Sequence, residues 1–167
     1  MVRIGFGYDS HRFEEGRRLV LGGVEFPGET GLQGHSDADV LIHAIIDALL
    51  GAAALGDIGS HFPDTDPRWK DADSAKLLVQ VVKEIRAAGY RIGNVDVTVI
   101  CERPKLRPKV DEIRVRLSHL LTLSPSHLSI KGKTNEKMDD VGAGVGIEVH
   151  AVALLEEGER VRRCEGK

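Results

Sequence analysis

Gly34-His35-Ser36-Asp37-Ala38-Asp39-Val40-Leu41-Ile42-His43 sets two histidines and two carboxylates within ten residues and runs directly into an apolar segment, Ala44 to Leu55. The segment reads as a helix over roughly 37–53. Ser36 or Asp37 is the expected N-cap, because a short side-chain oxygen can accept from the free N–H groups of a first turn. Leu41, Ala44, Ile45, Ala48, Leu49 and Ala52 recur at the 3.6-residue spacing of one buried stripe. Ile42, Ile46 and Leu50 fall outside that stripe, so the helix is apolar on more than one side. The expectation is that these three residues pack against a second subunit. Asp39, His43 and Asp47 follow one another at i, i+4. A lone histidine in such a helix is ordinarily a core residue, and partners elsewhere in the chain would make it a ligand.

Partners are present near the start of the chain. Ile4, Phe6 and Tyr8 alternate with Gly5, Gly7, Asp9 and His11, the period of a strand. Side chains at i and i+2 share a strand face, so Asp9 and His11 stand together where it ends. Asp9, His11 and His43 form a candidate metal site. Two histidines and one carboxylate suit a zinc ion with a fourth position left open, and the same set suits non-haem iron(II). Asp39 or Asp47 is a candidate to orient an imidazole.

Leu19 to Phe26 carries two short apolar runs around Gly22-Gly23, a hairpin signal. Residues 56–67 form an acidic loop punctuated by Gly and Pro. A helix is expected over 73–88, with Asp73 as its cap and Gly89 as its stop. A strand over 91–101 places Val95, Val97, Val99 and Cys101 on one face. Pro108 opens a third helix that runs to about Leu121. Leu128 to Lys133 is a short strand leading into Thr134-Asn135-Glu136-Lys137, a turn able to hold a phosphate. Gly142, Gly144 and Gly146 lead into a last strand, over 147–155, and so do not form the dinucleotide fingerprint, which opens a helix.

These elements predict an α/β sandwich, an α+β arrangement of one mixed four-stranded sheet with helices on one face, plus a β-hairpin. The bare face of that sheet predicts a closed oligomer. The 167 residues suit one domain, taken as residues 1–157, followed by a charged tail over 158–167. The net charge of −3 and 4% aromatic residues argue against nucleic-acid partners. No apolar run approaches membrane-spanning length. Two distant cysteines, Cys101 and Cys164, and a start without a leader pattern suggest a reducing, cytoplasmic setting.

Read together, the motifs resemble the 2-C-methyl-D-erythritol 2,4-cyclodiphosphate synthase family over about residues 2–157. The resemblance is carried by Gly7-Tyr8-Asp9-Ser10-His11-Arg12-Phe13, His35-Ser36-Asp37-Ala38-Asp39, Asp57-Ile58-Gly59, Phe62-Pro63-Asp64-Thr65-Asp66, Pro104-Lys105 and Lys133-Thr134-Asn135-Glu136-Lys137. It implies a cytoplasmic homotrimer with active sites between subunits. It implies cyclisation of 4-diphosphocytidyl-2-C-methyl-D-erythritol 2-phosphate with release of CMP, in the non-mevalonate route to isoprenoid precursors. Zinc is then expected on Asp9, His11 and His43, and a magnesium or manganese ion partly on Glu136. His35 and Thr134 match positions that stabilise the transition state. Cys101, Glu102, Arg103, Pro104, Lys105, Leu106 and Arg107 match the cytosine pocket, and Asp57, Ile58 and Gly59 the ribose contacts. Phe62, Pro63, Asp64, Thr65 and Asp66 match the loop around the methylerythritol. Ser10, Ser36, Lys133 and Asn135 complete the expected substrate contacts.

One stretch departs from that family. Its members read Leu-Gly-Phe and then Gly-Arg-Gly after Glu-Lys, whereas this chain reads Met138-Asp139-Asp140 and Gly142-Ala143-Gly144. Asp140 and Ala143 replace a Phe and an Arg associated with an anion-binding cavity on the trimer axis. The rival readings are a non-catalytic trimer that keeps zinc for structure and a nucleotide-binding regulator. A structural zinc ordinarily takes four protein ligands, and only three candidates stand together here.

Overall fold

The computed structural model describes residues 1–158. The expected charged tail lies, from residue 159 onward, outside the described residues, as does Cys164. The chain opens with a 20-residue strand, β1 (Val2–Leu21), that turns at Gly22-Gly23 into β2 (Val24–Leu32). Both turn glycines have positive φ, 63° and 73°, which L side chains adopt only with strain. Then come α1 (Val40–Ala53), a single turn α2 (Ile58–His61) and α3 (Ser74–Ala87). β3 (Tyr90–Ile100), α4 (Val110–Leu121), β4 (Leu128–Lys133), the single turn α5 (Asp139–Gly142) and β5 (Gly146–Glu157) complete the order.

The strands form one sheet in the order β2-β1-β5-β3-β4. It is mixed as expected, since only β3 and β4 run parallel. They are joined through α4, the kind of crossover that parallel neighbours require. The sheet has five strands and not four, because the expected hairpin is no separate unit. β1 pairs with β5 from Val2 to Arg12 and then with β2 from Phe13 to Leu21. Its middle, Glu14-Glu15-Gly16-Arg17-Arg18, is charged and irregularly registered, which hides a strand from hydrophobic periodicity.

α1 starts at Val40 with Asp39 as its cap, three residues later than expected. The Asp39 carboxylate accepts from Ile42 N and also from Gly22 N and Gly23 N, so it ties the helix start to the hairpin turn. Asp73 caps α3 as expected. The expectation that Ile42, Ile46 and Leu50 face a second subunit is overturned. All three are fully buried within this chain, because α1 is enclosed by the sheet on one side and by α3 on another.

The contact between α1 and β1 is unusually close. A Cβ on Gly5 would lie 1.9 Å from the Ala48 carbonyl oxygen, and one on Gly7 would lie 1.9 Å from that of Ala44. The glycine side of β1 is therefore the surface on which the helix backbone rests. The opposite side carries Ile4 and Phe6, 71% and 61% exposed, with Tyr8, and Val152 of β5 is exposed too. No helix covers that face among the described residues.

Candidate active site

The close seat of α1 brings His43 onto the end of the β1–β5 pairing. Asp9 Oδ2 lies 3.0 Å from His11 Nε2 and 3.0 Å from His43 Nδ1. The two ring nitrogens are 3.4 Å apart. A tetrahedral ion with bonds of about 2.0–2.1 Å holds its ligand atoms about 3.4 Å from one another. The three side chains therefore present one oxygen and two nitrogens at the spacing a single small cation requires, and they are the group among the described residues able to do so. His43 is buried, and Asp9 and His11 are partly so.

Charge within the cluster is strongly coupled. Burial alone would raise the Asp9 pKa, but hydrogen bonds and charge from His11 and His43 outweigh it and hold the carboxyl far below the usual range. Burial would lower His11, and the Asp9 carboxylate reverses this, so His11 is raised. The cluster favours a carboxylate beside a protonated imidazole, a state in which a bound cation can replace the proton.

Neither Asp39 nor Asp47 touches an imidazole, contrary to expectation. Asp39 is committed to its three backbone donors, and burial pushes its pKa up to about 6. Asp47 accepts from Ile58 N at 2.8 Å and so holds α2 against α1. The partners of His43 Nε2 are hydroxyls instead: Ser74 Oγ at 2.9 Å and Ser36 Oγ at 3.2 Å. Ser74 in turn donates to Asp37. Ser74 was invisible in the sequence as a site residue, since nothing local marks a serine 31 positions beyond the histidine it meets.

The remaining expected residues fall into two groups. Beside the metal cluster, the loop bearing His35 and Ser36 is strapped by Arg17, whose guanidinium donates to Gly34 O at 2.7 Å and to Ser36 O. Arg17 is a second residue that sequence reasoning missed, because it lies in the charged run that conceals the strand. His35 Nε2 approaches Asp66 O at 3.4 Å, which brings residues 62–66 next to this loop. Phe62 is buried edge-on against Trp69 with ring centroids 5.0 Å apart, while Asp64 and Thr65 are exposed. Ser10, between Asp9 and His11 on β1, is exposed. Asp57 caps α2 and accepts from Ser60 N and Oγ, bonds that lower its pKa. It is exposed, as is Gly59, so its carboxylate keeps room for further donors.

The second group lines a cavity of about 660 Å³ between the end of β4 and the loop after β3. Cys101, Pro104, Lys105, Leu106, Arg107, Lys133 and Thr134 form its wall. Cys101 N donates to Lys133 O at 2.9 Å, which ties the loop to β4, and burial pushes the Cys101 thiol up to about 11. Glu102 and Arg103 belong to the same loop but face a neighbouring cleft. At the rim of the cavity, Thr134 Oγ1 donates to the exposed Glu136 carboxylate at 3.1 Å, and Asn135 holds Asp139.

The cavity and the metal cluster lie at the same end of the sheet but do not meet. His11 pairs with Ile147, Glu148 with Ile100, and Ile100 with Lys133. Three strand spacings of about 4.8 Å therefore separate them, about 14 Å in all. On one chain, the turn at Thr134 and the Asp9, His11 and His43 cluster are therefore separate.

Comparison with known proteins agrees with these features. A model of the YgbB family matches residues 2–156. The 2-C-methyl-D-erythritol 2,4-cyclodiphosphate synthase of Brachyspira hyodysenteriae is 54% identical over 156 residues, covering 93% of this chain and 99% of that protein. The bifunctional enzyme IspD/IspF of an Anaeromyxobacter species is 58% identical over 154 residues, covering 92% of this chain. This chain spans 40% of that longer protein's length. A solved 2C-methyl-D-erythritol-2,4-cyclodiphosphate synthase in its CDP-bound form superposes with a TM-score of 0.85 at 40% identity, covering 92% of this chain and 100% of that one.

Proposed function

This chain belongs to the YgbB family, and from that premise we propose that it carries out the reaction of the synthases it matches. The substrate is 4-diphosphocytidyl-2-C-methyl-D-erythritol 2-phosphate. An oxygen of its 2-phosphate attacks the β-phosphorus, the bond from that phosphorus to the CMP phosphate oxygen breaks, and the product is the 2,4-cyclodiphosphate. The observation that carries this reading is the Asp9, His11 and His43 triad, with ligand atoms 3.0–3.4 Å apart, beside a loop that presents His35.

Zinc is the ion proposed for the triad, and Glu136 is the protein ligand proposed for a magnesium or manganese ion completed by substrate phosphates. When bound, these ions neutralise phosphate charge and hold the reacting groups in line. The protein's own contribution is positioning. His35, held by the Arg17 strap and by Asp66, offers a donor beside the triad. Thr134 offers a hydroxyl at the far half-site. The cavity around Cys101 to Arg107 takes the cytosine, and the exposed carboxylate of Asp57 accepts from ribose hydroxyls.

Two half-sites about 14 Å apart on one chain are joined if a neighbouring subunit brings its metal cluster to this chain's cavity. The uncovered apolar face of β1 and β5 is the surface proposed to assemble the homotrimer. A solvated strip of Ile4, Phe6 and Val152 would be costly to leave in water, at about 25 cal/mol per Å². Among the described residues no helix is long and apolar enough to cross a membrane, and a cytoplasmic location is part of the same proposal.

Phosphorus NMR of the purified protein with substrate, zinc and magnesium tests the reading. Appearance of the cyclic diphosphate with one CMP per turnover is expected. CMP release without a cyclic product, or no turnover, refutes it.

A further inference from the structure

The hydroxyl of Ser74 is fully buried, and its bonding leaves one arrangement of protons. A serine hydroxyl has a single hydrogen to donate, and an ionised carboxylate only accepts. Ser74 Oγ lies within bonding distance of Asp37 Oδ1 and of His43 Nε2, the latter at 2.9 Å. Its hydrogen must go to Asp37, so toward His43 it can only accept. Three backbone bonds hold Asp37 in place. Its Oδ2 accepts from Ser74 N at 3.0 Å, its Oδ1 accepts from Asp39 N at 3.2 Å, and its own N–H donates to Ala72 O at 3.0 Å. Ser36 Oγ, the other neighbour of His43 Nε2, already accepts from Ala38 N.

We infer that Ser74 and Asp37 are positioning residues of the metal centre, which lock His43 with its proton on Nε2 and so turn Nδ1, unprotonated, toward the ion. The inference rests on the metal-centre reading and adds to it the groups that set the ligand's tautomer and ring angle. A metal-bound histidine ordinarily donates its other N–H, and here the acceptor is a serine backed by a carboxylate in place of the carboxylate itself. The arrangement links three distant parts of the chain. The N-terminal turn of α3 supplies Ser74, the loop before α1 supplies Asp37, and α1 supplies His43. The metal ligand is thereby keyed to the docking of α3 on α1, and not only to the close seat of α1 on β1. Ser74 touches no reacting group and acts only through His43.

The test uses ring-nitrogen NMR of histidine together with zinc affinity by chelator competition. At about pH 8, above the ordinary imidazole range, zinc-loaded wild-type protein should show His43 protonated at Nε2 and not at Nδ1. That proton should exchange slowly with solvent. Ser74→Ala keeps the backbone bond to Asp37, so its melting profile should persist while the Nε2 proton exchanges faster. Its zinc affinity should fall by about 10–100-fold, the usual range for loss of a ligand's hydrogen-bond partner. Asp37→Asn keeps one oxygen to accept from the Ser74 hydroxyl but turns an amide NH2 toward the Ser74 or Asp39 N–H, which loosens the Ser74 bond, and should lose a smaller factor. A proton on Nδ1 in the zinc-loaded wild type, or wild-type zinc affinity in a folded Ser74→Ala protein, overturns the inference. With no ion bound, Nε2 still faces the Ser74 oxygen, so a proton there is expected whatever Nδ1 carries toward Asp9. A chain that keeps it yet binds no zinc would sink the metal-centre reading and leave the tautomer assignment standing.

Discussion

Gly7 of β1 and Ala44 of α1 approach so closely that a Cβ on the glycine would lie 1.9 Å from the Ala44 carbonyl oxygen. Ala44 directly follows His43, and Gly7 lies two residues before Asp9, so this contact sets the span of the metal triad. Gly7→Ala must push helix and strand apart. The expected cost is about 3 kcal/mol or more, the upper end for overpacking, read from urea denaturation. Metal affinity should fall with it. A Gly7→Ala protein of wild-type stability and metal affinity would show that the contact does not position His43.

In metal-free protein, the triad should make stability depend on pH from both sides. The Asp9 pKa is lowered below its ordinary 3.8, so its contribution is present above that value and lost as pH falls through the folded value. The His11 pKa is raised above its ordinary 6.5, so its contribution is complete below 6.5 and lost as pH rises through the folded value. Both contributions are in place between 3.8 and 6.5. Metal affinity should run the other way and rise with pH, because the ion displaces the imidazole proton. Thermal melts of metal-free wild type and His11→Ala should stay apart below pH 6.5 and converge as pH rises above it through the raised His11 value. Parallel curves would contradict the coupling.

The uncovered face of β1 bears on assembly. Phe6, 61% exposed in the single chain, sits at its centre. Phe6→Asp should place three carboxylates within the proposed trimer contact and yield monomers by light scattering. Activity should be lost even though the triad is intact, if each chain holds only half of the proposed site. An active monomer would show that one chain completes the site alone.

Asp140 and Ala143 stand where the resembled family carries a Phe and an Arg. Asp140 pairs instead with Arg12 at 3.3 Å on the exposed surface, and the Asp139 carboxylate accepts from Val141 N, Gly142 N and the Asn135 amide. An axial site without guanidinium groups lacks the bidentate donors that hold a diphosphate. Calorimetry with farnesyl diphosphate on the zinc-loaded protein should find no tight axial site. One tight site per trimer, retained after active-site mutation, would show that Arg12 or Lys137 supplies the charge.

What the sequence made legible was local. Asp9 and His11 share a strand face at i and i+2, and that alternation needs no knowledge of the fold. The helix after Gly34 was clear from its apolar spacing. Its cap was misplaced because Ser36, Asp37 and Asp39 are chemically alike, and only the hairpin turn at Gly22-Gly23 selects Asp39 by offering it two more donors. The continuity of β1 was masked by charged residues in its edge-paired middle. The assignment of Ile42, Ile46 and Leu50 to an interface failed because other elements of the same chain bury them completely. Their hydrophobicity specifies burial without naming the neighbour. Ser74 and Arg17 reach the site through tertiary docking alone.

The zinc content of His43→Ala, measured alongside its cyclic diphosphate production, tests the metal centre most directly. Wild type should carry one zinc per chain, and the variant should lose both zinc and product formation while keeping a folded structure. Stoichiometric zinc and full activity in His43→Ala would contradict the assignment of Asp9, His11 and His43 as the metal centre of this enzyme.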